Sequence, residues 1–244
     1  MKTNAAVLLI LFFYSNCSSQ VKTDETAVKK IVTVTEYLVF NNDFNQLDTA
    51  HHQKEVQKFD GNNNLLEEMD YWRSAETFGG GLIYKYNKEN HKTEEYLLDM
   101  HHEISAKYSF EYAENTGTQF EIKKDNTKVK WRVNYFDSSK NLVREITYYN
   151  DGKIMSDIYF KYNSGKQQTE RGGIMDGKKM QTNYKSYDSL GNLAEQKSVD
   201  TNGIVLSVEK FIYTKFDNKG NWETRQSILR GKPHSVAFQK IEIK

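Results

Sequence analysis

The sequence predicts an all-β fold, a long antiparallel meander of repeated hairpins, and three observations predict it. An aromatic or apolar residue followed by Asp or Asn and a turn recurs every 12 to 13 residues over much of the 244-residue chain. Tyr and Phe number 16 and 13 while Pro occurs once, which suits a chain made of sheet. Several windows between the turns alternate apolar and polar residues at the period of a strand.

The turns come first. Clear cases are Phe59-Asp60-Gly61-Asn62, Tyr86-Asn87-Lys88, Phe136-Asp137-Ser138 and Tyr149-Asn150-Asp151-Gly152. They continue through Tyr162-Asn163, Met175-Asp176-Gly177, Tyr187-Asp188, Val199-Asp200 and Phe216-Asp217. From Phe136 to Val199 the starts are spaced by 13, 13, 13, 12 and 12, and the earlier gap from Phe59 to Tyr86 is 27. A repeat at fixed spacing is read before any other feature, because it sets the architecture. In each unit Asp or Asn accepts hydrogen bonds from backbone N–H groups just ahead. A Gly about three residues later takes positive φ without a Cβ clash.

The strands between them follow. Lys128 to Phe136 carries Val129, Trp131, Val133 and Tyr135 on one side and Lys128, Lys130, Arg132 and Asn134 on the other. One face reads as packed and the other as wet. Ile31 to Phe40 (IVTVTEYLVF) is the most β-like window and reads as a strand covered on both faces. A flat layer of about fourteen such strands would expose much apolar surface, so it must curl, stack or be covered. An open twisted sheet and an irregular β-solenoid are the two leading forms, with a closed barrel third.

The N-terminus is separate. Lys2 precedes the apolar run Ala5 to Phe13, too short to span a bilayer as a helix, which is the pattern of a secretion signal. Cys17, the one cysteine, follows at once. Residues 1–17 therefore read as a signal peptide, 18–30 as a polar tether and 31–244 as one β-repeat domain, clearest over 53–244. The YSNC-SSQ segment resembles a bacterial lipoprotein signal, although Tyr14 and Asn16 depart from the usual box. The resemblance implies lipidation at Cys17, a membrane partner reached through that anchor, and a cell-envelope location at the outer membrane. Secreted or periplasmic release is the alternative.

The units YDSLGNLAEQ (Tyr187 to Gln196) and FDNKGNWETR (Phe216 to Arg225) resemble the tyrosine–aspartate (YD) repeats of bacterial RHS-type surface proteins. The last unit is also similar to the C-terminal signature of small exported Bacteroidota proteins. YYNDGKIMSD and GGIMDGKKMQTNY resemble MORN-like repeats of antitoxin-type proteins. The resemblance implies a repeat shell, stalk or contact surface.

Chemistry is sparse. Asp99, His101 and Glu103 would share one strand face and are weak metal candidates, read first as solvent-face polar residues. The acidic pairs Glu67-Glu68, Glu94-Glu95 and Asp60 with Asp70 also read as a solvated face. No G-x-S-x-G, H-E-x-x-H or phosphate loop is present, and Gly79-Gly80-Gly81 reads as a flexible turn. No catalytic residue and no cofactor is expected. Trp72, Trp131, Trp222, Tyr148 and Tyr159 are the candidate binding surface, since Tyr and Trp make good contact area. With 34 basic and 33 acidic residues the chain has no electrostatic pull toward nucleic acid. The expectation is a non-catalytic cell-envelope lipoprotein whose repeat sheet contacts a protein or glycan. The alternatives are an immunity or antitoxin-like protein masking a toxin, and an envelope glycan hydrolase.

Overall fold

Ten turns of the computed structural model share one hydrogen-bond pattern. In each, the N–H of the starting residue donates to the carbonyl four residues on, and the N–H three residues on donates back, as for Asp60 with Asn64 and Asn63. The residue three after the start has positive φ every time. That position is Gly in four turns (152, 191, 203 and 220) and Asn, His or Lys in the rest. In the eight turns that start at Asp or Asn the starting side chain locks the loop: Asp137 Oδ1 accepts the N–H groups of Ser139 and Asn141, each at 2.8 Å. Two hairpins are tighter, Asp176-Gly177 and Arg230-Gly231, with positive φ at both residues as the strand twist requires.

The structure describes residues 32–41, 47–72 and 77–243. The first strands are β1 (Val32–Asn41), β2 (Leu47–Phe59), β3 (Leu65–Trp72), β4 (Thr77–Tyr86), β5 (Lys92–Leu98) and β6 (Ile104–Ala113). Next come β7 (Thr116–Ile122), β8 (Lys128–Phe136), β9 (Leu142–Tyr148), β10 (Ile154–Tyr162), β11 (Gln168–Met175) and β12 (Lys178–Lys179). The last are β13 (Thr182–Tyr187), β14 (Leu193–Val199), β15 (Val205–Phe216), β16 (Trp222–Leu229) and β17 (Lys232–Ile243). Successive strands pair antiparallel, with β12 a two-residue flap on β11 while β11 goes on to pair β13. The decisive strand is β1. It pairs β2 along one edge, with Thr35 opposite Val56, and β17 along the other, with Thr35 opposite Lys240. Seventeen elements less the β12 flap make sixteen strands, and the ring they form is closed. Closure removes both sheet edges and the liability of unpaired backbone that an edge carries.

The alternation of direction sorts the turns onto two rims. The turns starting at Asp60, Asn87, Asp137, Asn163, Asp188 and Asp217 fall on one, the lower rim, together with the start of β1 and the end of β17. The turns starting at Asp99, Lys123, Tyr149 and Asp200, with the 176–177 and 230–231 hairpins, form the upper rim.

The two faces differ in kind. On the concave face side chains converge, and Gln119, Thr147, Ser156, Ser198, Ser235, Ala237 and Gln239 are buried there. The convex face carries exposed ion pairs between neighbouring strands: Lys58–Glu67 at 2.5 Å, Lys85–Glu94 at 2.8 Å, Arg144–Asp157 at 2.6 Å and Lys161–Glu170 at 2.9 Å. Each such exposed pair adds little stability but keeps the outer wall in water. Buried apolar side chains include Tyr84, Ile146, Ile158 and Trp222. Trp222 meets Tyr213 edge to face, 5.9 Å between centroids, near the lower rim.

The ring corrects the expected open sheet or irregular solenoid. It also overturns the RHS-like, tyrosine–aspartate and MORN-like repeat resemblance, because a solenoid winds on along its axis whereas these strands return to the first around a single axis. The physical reason lies in β1. Closure is made by this one strand pairing on both edges, which the spacing of turns does not report. The segment expected to be covered on both faces is instead hydrogen-bonded on both edges, with Val34, Glu36 and Leu38 turned into the bore.

Candidate functional site: an acid-lined bore

Three adjacent strands turn carboxylates inward at the same level. Glu55 of β2 stands opposite Glu36 of β1 and opposite Asp70 of β3. Gln57 stands opposite Glu68 and donates from Nε2 to Glu68 Oε2 at 3.2 Å, and also to Glu55 Oε1. Cross-strand partners point to one face, so Glu36, Glu55, Glu68 and Asp70 share the inner wall. Arg225 reaches across β17 from β16 and donates to Glu36 Oε1 at 2.8 Å. Its guanidinium also lies over the rings of Phe211 and Trp222, at 5.2 and 5.0 Å, which fixes it in place.

Burial and like charge set the acidities. Burial, with Glu68, Asp70 and Glu36 nearby, pushes the Glu55 carboxyl up to about 8. Burial also raises Glu36 against the pull of Arg225, raises Glu68 with help from Asp70, and raises Asp70. Gln239 stands opposite Glu36 and is 8% exposed, and its Oε1 is buried without a hydrogen-bond partner. When these carboxyls are ionised, the wall here is rich in acceptors and poor in donors.

Further round the bore the charges are paired. Lys92 bridges Glu95 at 3.1 Å and lies over the rings of Tyr84 and Phe110. Gln119 donates to Glu95 from two strands away, at 3.2 Å. Arg132 faces Glu145 at 3.4 Å. Among the described residues no group of three or more His, Cys, Asp or Glu could hold a metal ion.

The residues singled out from the sequence scatter. Asp99, His101 and Glu103 lie in an upper-rim turn, not along a strand face. Asp99 Oδ1 accepts the N–H groups of His101 and Glu103 at 2.8 and 3.0 Å, and these bonds hold its carboxyl below the usual range. His102 takes positive φ there and stacks on Phe78, 3.8 Å between centroids. Trp131 faces the bore near Tyr108, while Trp222 is buried. Tyr148 lies under Lys130, and the exposed Tyr159 donates to Glu170 at 3.0 Å. Trp72 is exposed on the upper rim. The five aromatics therefore do not form one surface. Cys17 lies outside the described residues. The glycines 79–81 lie in β4, not in a turn, and Gly79 passes against the Trp72 ring.

The bore carboxylates escaped a reading of adjacent acids as one solvated face. Glu67 pairs with Lys58 outside while Glu68 faces in, because neighbours on a strand point to opposite sides. Glu36, in the middle of the most apolar strand of the chain, was the one visible signal.

No family model and no curated protein matches the chain. A solved structure does. A porin-like protein from Bacteroides uniformis superposes with a TM-score of 0.52 at 12% identity, over 86% of this chain and 97% of that one. The wall has the fold of a porin-like barrel. A TcdB2–TccC3–Cdc42 toxin complex aligns at 0.32 and 14% identity over 10% of its own chain. A LolA superfamily protein from Nitrosomonas europaea aligns at 0.31 and 11% identity over 85% of its chain. The closed ring also corrects the expected function. A repeat sheet offering one broad face to a protein or glycan does not fit, since one face is enclosed, and neither do the toxin-masking and glycan-hydrolase alternatives.

Proposed function

We propose that the chain is a non-catalytic β-barrel of the cell envelope, of the transport or carrier class, which takes small organic cations into its bore. The observation that carries this is the row Glu36–Glu55–Asp70, three carboxylates directly opposite one another on the inner wall, beside the unpartnered Oε1 of Gln239. Burial and mutual repulsion push these carboxyls toward their protonated forms, and a ligand with N–H donors and positive charge favours the ionised row and supplies the donor that Gln239 lacks. The porin-like fold supports the transport class. The signal-like N-terminus supports export, and Cys17 is proposed as the site of a lipid anchor.

The outer wall argues that the barrel stands in water and does not span lipid. Lys or Arg on the lipid face of a spanning barrel costs about 2–4 kcal/mol at the bilayer midplane. Here Lys58, Lys85, Arg144 and Lys161 all lie on the convex face with acidic partners.

Titration calorimetry with spermine, on the full chain and on Glu55→Gln/Glu68→Gln, tests the reading. The parent should bind, and the variant should bind at least tenfold more weakly, one tenfold step being about 1.4 kcal/mol. Equal affinity, or no binding by either, overturns the proposal. Membrane fractionation of Cys17→Ala tests the anchor, which predicts release, and unchanged retention argues against it.

A further inference from the structure

The exposed apolar side chains are unevenly placed. Met100, Ile104, Ile154, Ile174, Ile204 and Leu206 all stand on the upper rim, from the β5–β6 turn round to the β14–β15 turn. Met100 and Ile204 are more than 60% exposed, and Trp72 carries the row on to β3. The lower rim exposes Leu190, Phe216 and Tyr112. Single exposed apolar residues are ordinary, but a row following one rim is not.

The charges at that rim have a matching character. Lysine doublets stand there, Lys123-Lys124 in the β7–β8 turn and Lys178-Lys179 in β12, while every lower-rim turn has at most one lysine. Four of the neighbouring acids are engaged in their own turns. Asp99, Asp125, Asp151 and Asp200 each accept backbone N–H groups through Oδ1. Lys123 bridges Glu121 at 2.7 Å, whereas Lys124, Lys178 and Lys179 are exposed. Exposed Ile, Leu, Met and Trp interleaved with lysine is the chemistry of a lipid–water interface, where apolar tips enter the acyl boundary and ammonium groups meet anionic headgroups.

We infer that the barrel docks end-on, through its upper rim, onto an anionic lipid surface. The bore then opens toward the membrane at one end and toward water at the other, where the lower-rim turns present Asp and Asn side chains. Docking of this kind is independent of the bore's ligand, since it rests on rim residues alone.

The test places a single environment-sensitive fluorophore on either rim of the full chain in a Cys17→Ala background, at Ile204→Cys or at Leu190→Cys. Vesicles of phosphatidylglycerol and phosphatidylethanolamine carry brominated acyl chains as quencher. The expected result is loss of fluorescence at position 204 and none at position 190. Replacing Met100 and Leu206 by Glu in the 204-labelled chain should restore its fluorescence. Quenching of both labels, or of neither, overturns the inference, and quenching of neither leaves the rim to a protein partner. Because spermine binding is read separately, failure here does not touch the proposed bore function.

Discussion

A residue with positive φ stands at the same place in ten turns, yet only four of them use glycine there. A side chain with a Cβ is strained in the left-handed conformation, and Asn is strained least. Lys166, with φ of 61°, is exposed and has no such tolerance. Lys166→Gly should therefore raise stability by roughly 0.5–1 kcal/mol, the left-handed cost less the added chain entropy. Urea titration with unchanged slope checks it. The sequence showed these turns through their Asp and Asn starts. It hid the positive-φ residue at His102 and Lys140, because lysine and histidine carry no turn signal of their own.

The acidities of the bore belong to the residue scale too. The Glu55 carboxyl, raised in the folded state, binds more protons than in the unfolded chain between its ordinary value of 4.5 and about 8. Stability therefore falls as pH rises through that window, by up to roughly 1.4 kcal/mol for each tenfold difference in proton affinity between the folded and unfolded states. The exposed turn aspartates act oppositely. Asp99, Asp125, Asp137 and Asp151 are held low by their turn N–H or side-chain bonds, so their contribution is lost only as pH falls below the ordinary carboxylate range. Melting temperature against pH should peak on the acid side of neutrality, and Glu55→Gln should flatten the fall toward pH 8. A parent profile that rises from pH 5 to 8 contradicts the buried-acid account.

At the scale of elements, neighbouring hairpins are latched along the lower rim. The Tyr86, Tyr162, Tyr187 and Tyr213 hydroxyls donate to the carbonyls of Leu65, Leu142, Gln168 and Leu193, at 2.8 to 3.1 Å. Each tyrosine thus ties the end of one strand to the strand start beyond the preceding lower-rim turn. The early double spacing, Phe59 to Tyr86, separates two lower-rim turns, with the two strands β3 and β4 between them. Tyr162→Phe removes one such bond and should cost about 1 kcal/mol with little change in fold. Chemical denaturation would register it, and no loss would mean the latch is idle. Strand existence was legible in the turn spacing. Face assignment was less so, because β-bulges shift the register within strands such as β8, where Lys130 points out while Arg132 points in. Parity counted across a bulge places half the strand on the wrong side.

For the whole molecule, closure decides everything else. The repeat describes how each strand meets the next, and such local rules are the same in a solenoid, an open sheet and a barrel. What distinguishes them is a contact between β1 and β17, residues about two hundred apart in the chain, which no periodicity reports. Closure is also what creates an inside, and so turns Glu68 and Asp70, read as solvated in the sequence, inward beside Glu36 and Glu55 in one half-buried row. The bore, the water-facing wall and the rims all depend on it.

The most direct measurement is a disulfide across that seam. Thr35→Cys with Lys240→Cys, in a Cys17→Ala background, places two thiols opposite each other on the outer face of β1 and β17. Mild oxidation of the folded monomer should give near-complete intramolecular cross-linking, seen as a mobility shift reversed by reductant, while a control pair of Thr35→Cys with Lys161→Cys should stay reduced. Failure of the 35–240 pair to close in folded monomer would contradict the barrel.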